Sequence, residues 1–143
     1  MKLATIGYEN DTLAGFLERL KAAKVEKVID VRAVASSRKA GFSKTLLAAS
    51  LAEQGIGYIH LRDLGTPKAG RQAARAGKIQ AMHAIYEQQL ALPQAQLQLA
   101  QAGEIASAEK SALLCFEADV CGCHRQIVAQ RLREALGFTV EDL

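Results

Sequence analysis

Residues 25–61, VEKVIDVRAVASSRKAGFSKTLLAASLAEQGIGYIHL, carry the pattern that decides the fold. Val25 to Val31 reads as a buried strand. After an irregular polar stretch, Ser43 can cap a helix bearing Leu46, Leu47 and Leu51 that stops near Gly55. Ile56 to Leu61 follows at once as another strand. Strand, helix and strand at such short intervals make a βαβ unit, whose crossover is right-handed and whose strands lie parallel.

The same alternation extends in both directions. Upstream, Leu3 to Tyr8 reads as a strand ending at Gly7, and the polar turn Glu9-Asn10-Asp11-Thr12 leads into a helix. Asp11 or Thr12 can cap that helix, and Leu13, Phe16, Leu17 and Leu20 recur with the spacing of a core-facing stripe. Downstream, Gly70 to about Gly103 is rich in Ala, Gln and Leu and reads as two helices, the second starting at Pro93, where a missing N–H costs nothing. Ser111 to Phe116 is a fourth strand, short and apolar, as a strand covered on both faces should be. A last helix starts near His124, carries Val128, Leu132 and Leu136, and ends at Gly137 before a short tail. The expectation is one α/β domain over 1–143, with three layers, a mainly parallel and doubly wound sheet, and helices on both faces.

A chain of 143 residues, half of them hydrophobic and with two prolines, can bury a core without a disulfide or metal staple, which excludes disordered and collagenous classes. It contains neither a run of about 20 apolar residues nor a leader-like start, so a cytoplasmic protein without membrane association is expected. Cys115, Cys121 and Cys123 are odd in number, and the last two are too close for an ordinary bridge, so reduced thiols are expected. Charge is uneven. Between Val31 and Tyr86 nine Lys and Arg face only Glu53 and Asp63, although the whole chain is only +3. Such a basic middle suits an anionic partner, phosphate above all, or simply a solvated face.

Ligands of open parallel sheets bind beyond the carboxyl ends of the strands. Those ends are here Gly7-Tyr8-Glu9, Asp30-Val31-Arg32, His60 to Asp63 and Cys115-Phe116-Glu117, each with polar or ionisable groups. Arg32 projects to the same face as Asp30 and can pair with it. That pair is either structural or a means of presenting a planar guanidinium to an anion. Ser36, Ser37, Arg38, Lys39 and Gly41 form a loop ahead of a helix start, able to cradle phosphate or to serve as a polar connection, and Phe42 reads as a core anchor. Lys68, Arg71, Arg75 and Lys78 share one helix face, a solvated basic face or a nucleic-acid contact with too few aromatics for base stacking.

The densest run is residues 115–125, CFEADVCGCHR. Cys121, Cys123 and His124 resemble part of a metal site, but the second knuckle is missing and no metal or other cofactor is assigned. Cys123, at a helix start beside His124 and Arg125, is a candidate nucleophile. The Cys-five-residues-Arg loop of tyrosine phosphatases is absent. Glu117 and His124 are candidates for proton transfer and Arg125 for binding an anion, while the plain alternative makes the cysteines packers and Glu117 and Arg125 a structural pair.

The strand TIGYE, then DVR with Ser-Arg and Gly-Phe downstream, then Cys-x-Glu and Cys-His-Arg, resembles the bacterial and archaeal family of domain of unknown function 488, from Thr5 to about Leu132. The resemblance implies a three-layer α/β fold and makes these motifs the natural site: Gly7, Tyr8, Asp30, Arg32, Ser37, Arg38, Cys115, Glu117, Cys123, His124 and Arg125. It supplies no reaction, and Cys121 is extra to its pattern. A slighter likeness of DVR to the Asp-x-Arg strand of rhodanese domains ends there, since no Cys-x-x-Gly-x-Arg loop follows.

The functional expectation is an enzyme for a small phosphorylated compound or nucleotide. Arg32, Ser37, Arg38, Arg125, Tyr8 and Gly7 would bind it, and Glu117, His124, Cys123 and Asp30 would carry the chemistry. The alternatives are a nucleic-acid-binding module using residues 31–86 and a regulatory or scaffold protein. Nothing in the sequence sets an oligomeric state.

Overall fold

The computed structural model describes residues 1–118 and 123–143. Its five strands are β1 (Lys2–Gly7), β2 (Lys27–Asp30), β3 (Gly57–His60), β4 (Ser111–Cys115) and β5 (Thr139–Asp142). They form one all-parallel sheet in the order β3-β2-β4-β1-β5. The helices among the described residues are α1 (Leu13–Ala22), α2 (Lys44–Glu53), α3 (Lys68–Arg75), α4 (Ile79–Leu90), α5 (Pro93–Ala108) and α6 (Arg125–Leu136), with a short 3-10 turn at Arg62–Leu64. None of them is long and apolar enough to cross a membrane.

Alternation along the strands sorts their side chains into two cores. Leu3, Ile29, Val31 and Leu113 face α4, α5 and α6, meeting Met82, Tyr86, Ala102, Val128 and Leu132. Ala4, Ile6, Val28, Ala112 and Leu114 face α1 and α2, meeting Phe16, Leu20, Leu47 and Leu51. The central strand β4 is buried along its whole length, which is why SALLC has no polar alternation. The three-layer α/β architecture expected from the sequence is therefore the one observed.

Local differences have physical causes. Residues 68–108 form three helices where two were expected, because Gly77 takes a left-handed φ of 76° and breaks the Ala-rich run between α3 and α4. The tail after Gly137 adds the edge strand β5, which pairs with β1 although Val140 is the one apolar residue of TVED. Its Asp142 accepts a hydrogen bond from Thr5 at 2.6 Å. Ser43 starts α2, but its hydroxyl turns outward from the helix to accept from Ser37 N and donate to Ser37 O, cinching the loop.

Candidate functional site

β4 lies between β1 and β2, so three strand ends come side by side: Gly7 pairs in register with Cys115, and Asp30 with Leu114. The loop after β1 is tied to the loop after β4 by Glu9 N donating to Phe116 O and by Glu9 Oε1 accepting from Ala118 N. Gly7 makes this approach possible. A Cβ on it would stand 1.7 Å from the Glu117 carbonyl oxygen and 2.9 Å from Arg125 Nη1.

Asp30 is wholly buried and Arg32 nearly so. Arg32 Nε and Nη2 donate to the Asp30 carboxylate at 2.9 and 2.7 Å, and Nη1 donates to the Phe42 carbonyl and to Tyr8 Oη. Tyr58 Oη donates to the same carboxylate. Burial alone would lower the pKa of Arg32, but the bonds and charge of Asp30 outweigh it and hold the guanidinium firmly charged. The phenol of Tyr58 is pushed up by burial and by Asp30. Tyr8 stacks on Phe42 with ring centres 4.4 Å apart, and Phe42 is fully buried, the core anchor expected of it.

Two imidazoles fasten the backbone between Asp30 and Ala33. His60 Nε2 meets the Arg32 carbonyl at 2.7 Å, and His124 Nε2 meets the Val31 carbonyl at 2.6 Å. A carbonyl can only accept, so His124 Nε2 carries the proton. Burial lowers its pKa to about 4, and the neutral ring therefore leaves Nδ1 as an acceptor, 3.8 Å from Cys123 Sγ.

Arg125 is 1% exposed at the start of α6. Its Nη1 donates to Cys115 Sγ at 2.8 Å and to the Glu117 carbonyl, and its Nη2 to the Ala118 carbonyl at 3.2 Å. Cys115 and Cys123 are joined as a disulfide. This corrects the expectation of reduced thiols, which weighed only the close pair Cys121 and Cys123. The end of β4 and the start of α6 instead bring residues eight apart together. Cys121 lies outside the described residues. Among those described, Cys115, Glu117 and Cys123 place donor atoms within 4.8 Å of one another, a group able to hold a metal ion only with its sulfurs released from each other.

Above these strand ends lies a cavity of about 640 Å³. Tyr8, Arg32, Cys115, Phe116, Glu117 and His124 line one side of it, and Ser36, Ser37, Arg38 and Lys39 another. Glu9, Thr66, Arg71, Arg75 and Met82 also line it, with Ala33, Val34 and Ala74. Arg71 is steadied by donating to the Thr66 carbonyl at 2.9 Å, and Lys39 by donating to the Glu9 carbonyl at 3.0 Å. Burial raises the Glu117 carboxyl above the usual carboxylate range, despite the opposing charge of Arg125.

Of the residues singled out from the sequence, Tyr8, Arg32, Ser37, Arg38, Glu117 and His124 share this cavity, whereas Gly7, Asp30, Cys123 and Arg125 lie behind its wall. Arg71 and Arg75, read as part of a helix face, turn into the cavity, and Lys68 and Lys78 remain exposed outside it. Glu9 was noted only as a member of the strand end Gly7-Tyr8-Glu9, without a role, and Thr66 was not singled out.

A family model described as domain of unknown function DUF488 matches residues 12–132. No curated protein and no solved structure matches the chain.

Proposed function

Since the chain belongs to the DUF488 family, whose description supplies no reaction, we propose from the site itself that the protein is an enzyme acting on a small phosphorylated compound, with a nucleotide as the best-fitting class. One observation carries this reading: a single cavity collects Arg38, Lys39, Arg71 and Arg75 around an uptitrated Glu117. The loop ahead of α2 supplies Arg38 and Lys39 and helix α3 supplies Arg71 and Arg75, which gives phosphate oxygens several charged donors at once. Phe116, 44% exposed and edge-on to Tyr8, offers an aromatic surface for a flat base.

In this reading, Glu117 keeps its proton at pH values where an ordinary glutamate has lost it, and donates it to a leaving oxygen. His124, neutral and bonded to the Val31 carbonyl, is a positioning residue that fixes the main chain beside Arg32. Asp30 and Arg125 are positioning residues: the first fixes Arg32, the second fixes the Glu117 main chain. Arg32 contributes a fixed positive field at the cavity wall, most of its fork being engaged by Asp30, Tyr8 and Phe42.

Calorimetric titration with adenosine 5′-monophosphate, inorganic pyrophosphate and adenosine tests the proposal. Both phosphorylated probes should bind more tightly than adenosine, and Arg71→Ala with Arg75→Ala should weaken them by about 10- to 100-fold, the scale of a lost charged hydrogen bond. Equal binding of adenosine, or indifference to the double substitution, would overturn it. The second reading, a nucleic-acid contact, is favoured by the exposed Lys68 and Lys78 at the two ends of the α3 region. It requires retention on DNA or RNA that falls steeply with salt and is lost on reversing those two charges.

A further inference from the structure

We propose that Cys115 and Cys123 are a reversible dithiol–disulfide pair, in which Cys115 exchanges with a low-molecular-weight disulfide entering the cavity and Cys123 resolves the mixed disulfide. Three observations converge on this division of labour, and none rests on the phosphate reading. The two sulfurs are joined across the gap between the end of β4 and the start of α6. Of the two, Cys115 lines the cavity and Cys123 does not, although each residue is only 1% exposed. Each sulfur has its own polar partner: Arg125 Nη1 on Cys115 at 2.8 Å, and His124 Nδ1 near Cys123 at 3.8 Å.

A guanidinium donating to a sulfur favours the thiolate, the attacking form of cysteine. In the reduced protein the Cys115 thiolate attacks one sulfur of a disulfide RSSR. The S–S bond of RSSR breaks, a protein–S–SR bond forms, and RS⁻ leaves. Cys123 then gives up its proton to the departed RS⁻ and attacks Cys115 Sγ. The mixed disulfide breaks, the Cys115–Cys123 bond forms, and a second RS⁻ leaves. Protons from the two thiols end on the two departing thiolates. The protein loses two electrons and the small disulfide gains them. The cations of the cavity wall favour an anionic disulfide such as oxidised glutathione over a neutral one. In a reducing compartment such pairs cycle rather than persist.

The test equilibrates the full chain in buffers of graded reduced to oxidised glutathione, quenches with acid, alkylates with N-ethylmaleimide and maps the modified peptides. The chain holds three cysteines, so three adducts are expected at the reducing end and one, on Cys121, at the oxidising end, with reversal by dithiothreitol. Cys121→Ser should still form the bridge. Cys123→Ser should trap glutathione on Cys115, and Cys115→Ser should leave Cys123 unmodified.

Three alkylated thiols at every ratio, a bridge that includes Cys121, or an untrapped Cys123→Ser would overturn the proposal. So would stoichiometric zinc in the purified chain, released only as thiols are alkylated, since the same group would then be a metal site. Because Cys121→Ser leaves both paired sulfurs in place, a folding defect in the other variants does not spare the proposal.

Discussion

The main chain at Gly7 and the carbonyl of Glu117 are so close that no side chain fits between them: a Cβ would lie 1.7 Å from the oxygen and 2.4 Å from the carbon. Because the obstacle is backbone, it cannot rotate away. Gly7→Ala should therefore shift the β4 loop and destabilise the protein by about 3 kcal/mol, the upper end of ordinary overpacking costs. Urea unfolding measures this. A variant of parental stability would show that the two loops are not held together.

Asp30 and Arg32 should be coupled strongly. Asp30→Ala strands a buried guanidinium and is expected to cost about 3–5 kcal/mol. The double variant Asp30→Leu with Arg32→Met should cost less than the sum of its single variants by roughly 2 kcal/mol. A double-mutant cycle on unfolding free energies checks this, and additive costs would mean that Tyr8, Tyr58 and the Phe42 carbonyl suffice to hold Arg32.

His124 makes the fold sensitive to acid. Its pKa is about 4 in the folded chain against an ordinary 6.5, so the unfolded state binds the proton more readily. The stability it contributes is complete above pH 6.5 and is lost as pH falls through 4, a loss of about 3 kcal/mol. Unfolding midpoints between pH 4 and 7 should show a slope in the parent that flattens in His124→Gln.

Glu117 acts in the opposite sense. Its carboxyl is raised above 4.5 by burial, so the native state holds the proton more tightly, and stability falls as pH rises from about 4.5 through the raised value. Where Glu117 donates that proton in turnover, the rate falls over the same range. Glu117→Gln should remove this dependence of stability and abolish turnover. A pH–stability curve unchanged by the substitution would show that the carboxyl is ordinarily solvated.

The alternation of VEKVIDV, TLLAASL and GIGYIHL was enough to reveal parallel strands and helices on both faces, because periodicity survives in a single sequence. Convergence of the DVR and Cys-x-Glu strands was legible for the same reason: parallel strands end together. The turning of Arg71 and Arg75 into the cavity was not legible, since it depends on how α3 packs against α4. The Cys115–Cys123 bond was hidden by the nearer pair Cys121 and Cys123. The role of His124 as a fastener of Val31 could not be read either, because hydrogen bonds between residues 93 positions apart leave no local pattern.

The position of β4 sets the time at which the site can exist. With β1 and β2 separated by a strand made of residues 111–115, the first three strands have a gap at the centre of the sheet until more than a hundred residues have left the ribosome. The decisive pairings, such as Ala4 with Ala112 and Lys27 with Ser111, join residues far apart in the chain, which makes for a high contact order and a late, slow closing step. Until that step, the apolar edges of β1 and β2 are open to any extended segment nearby, a newly made copy of the same chain included.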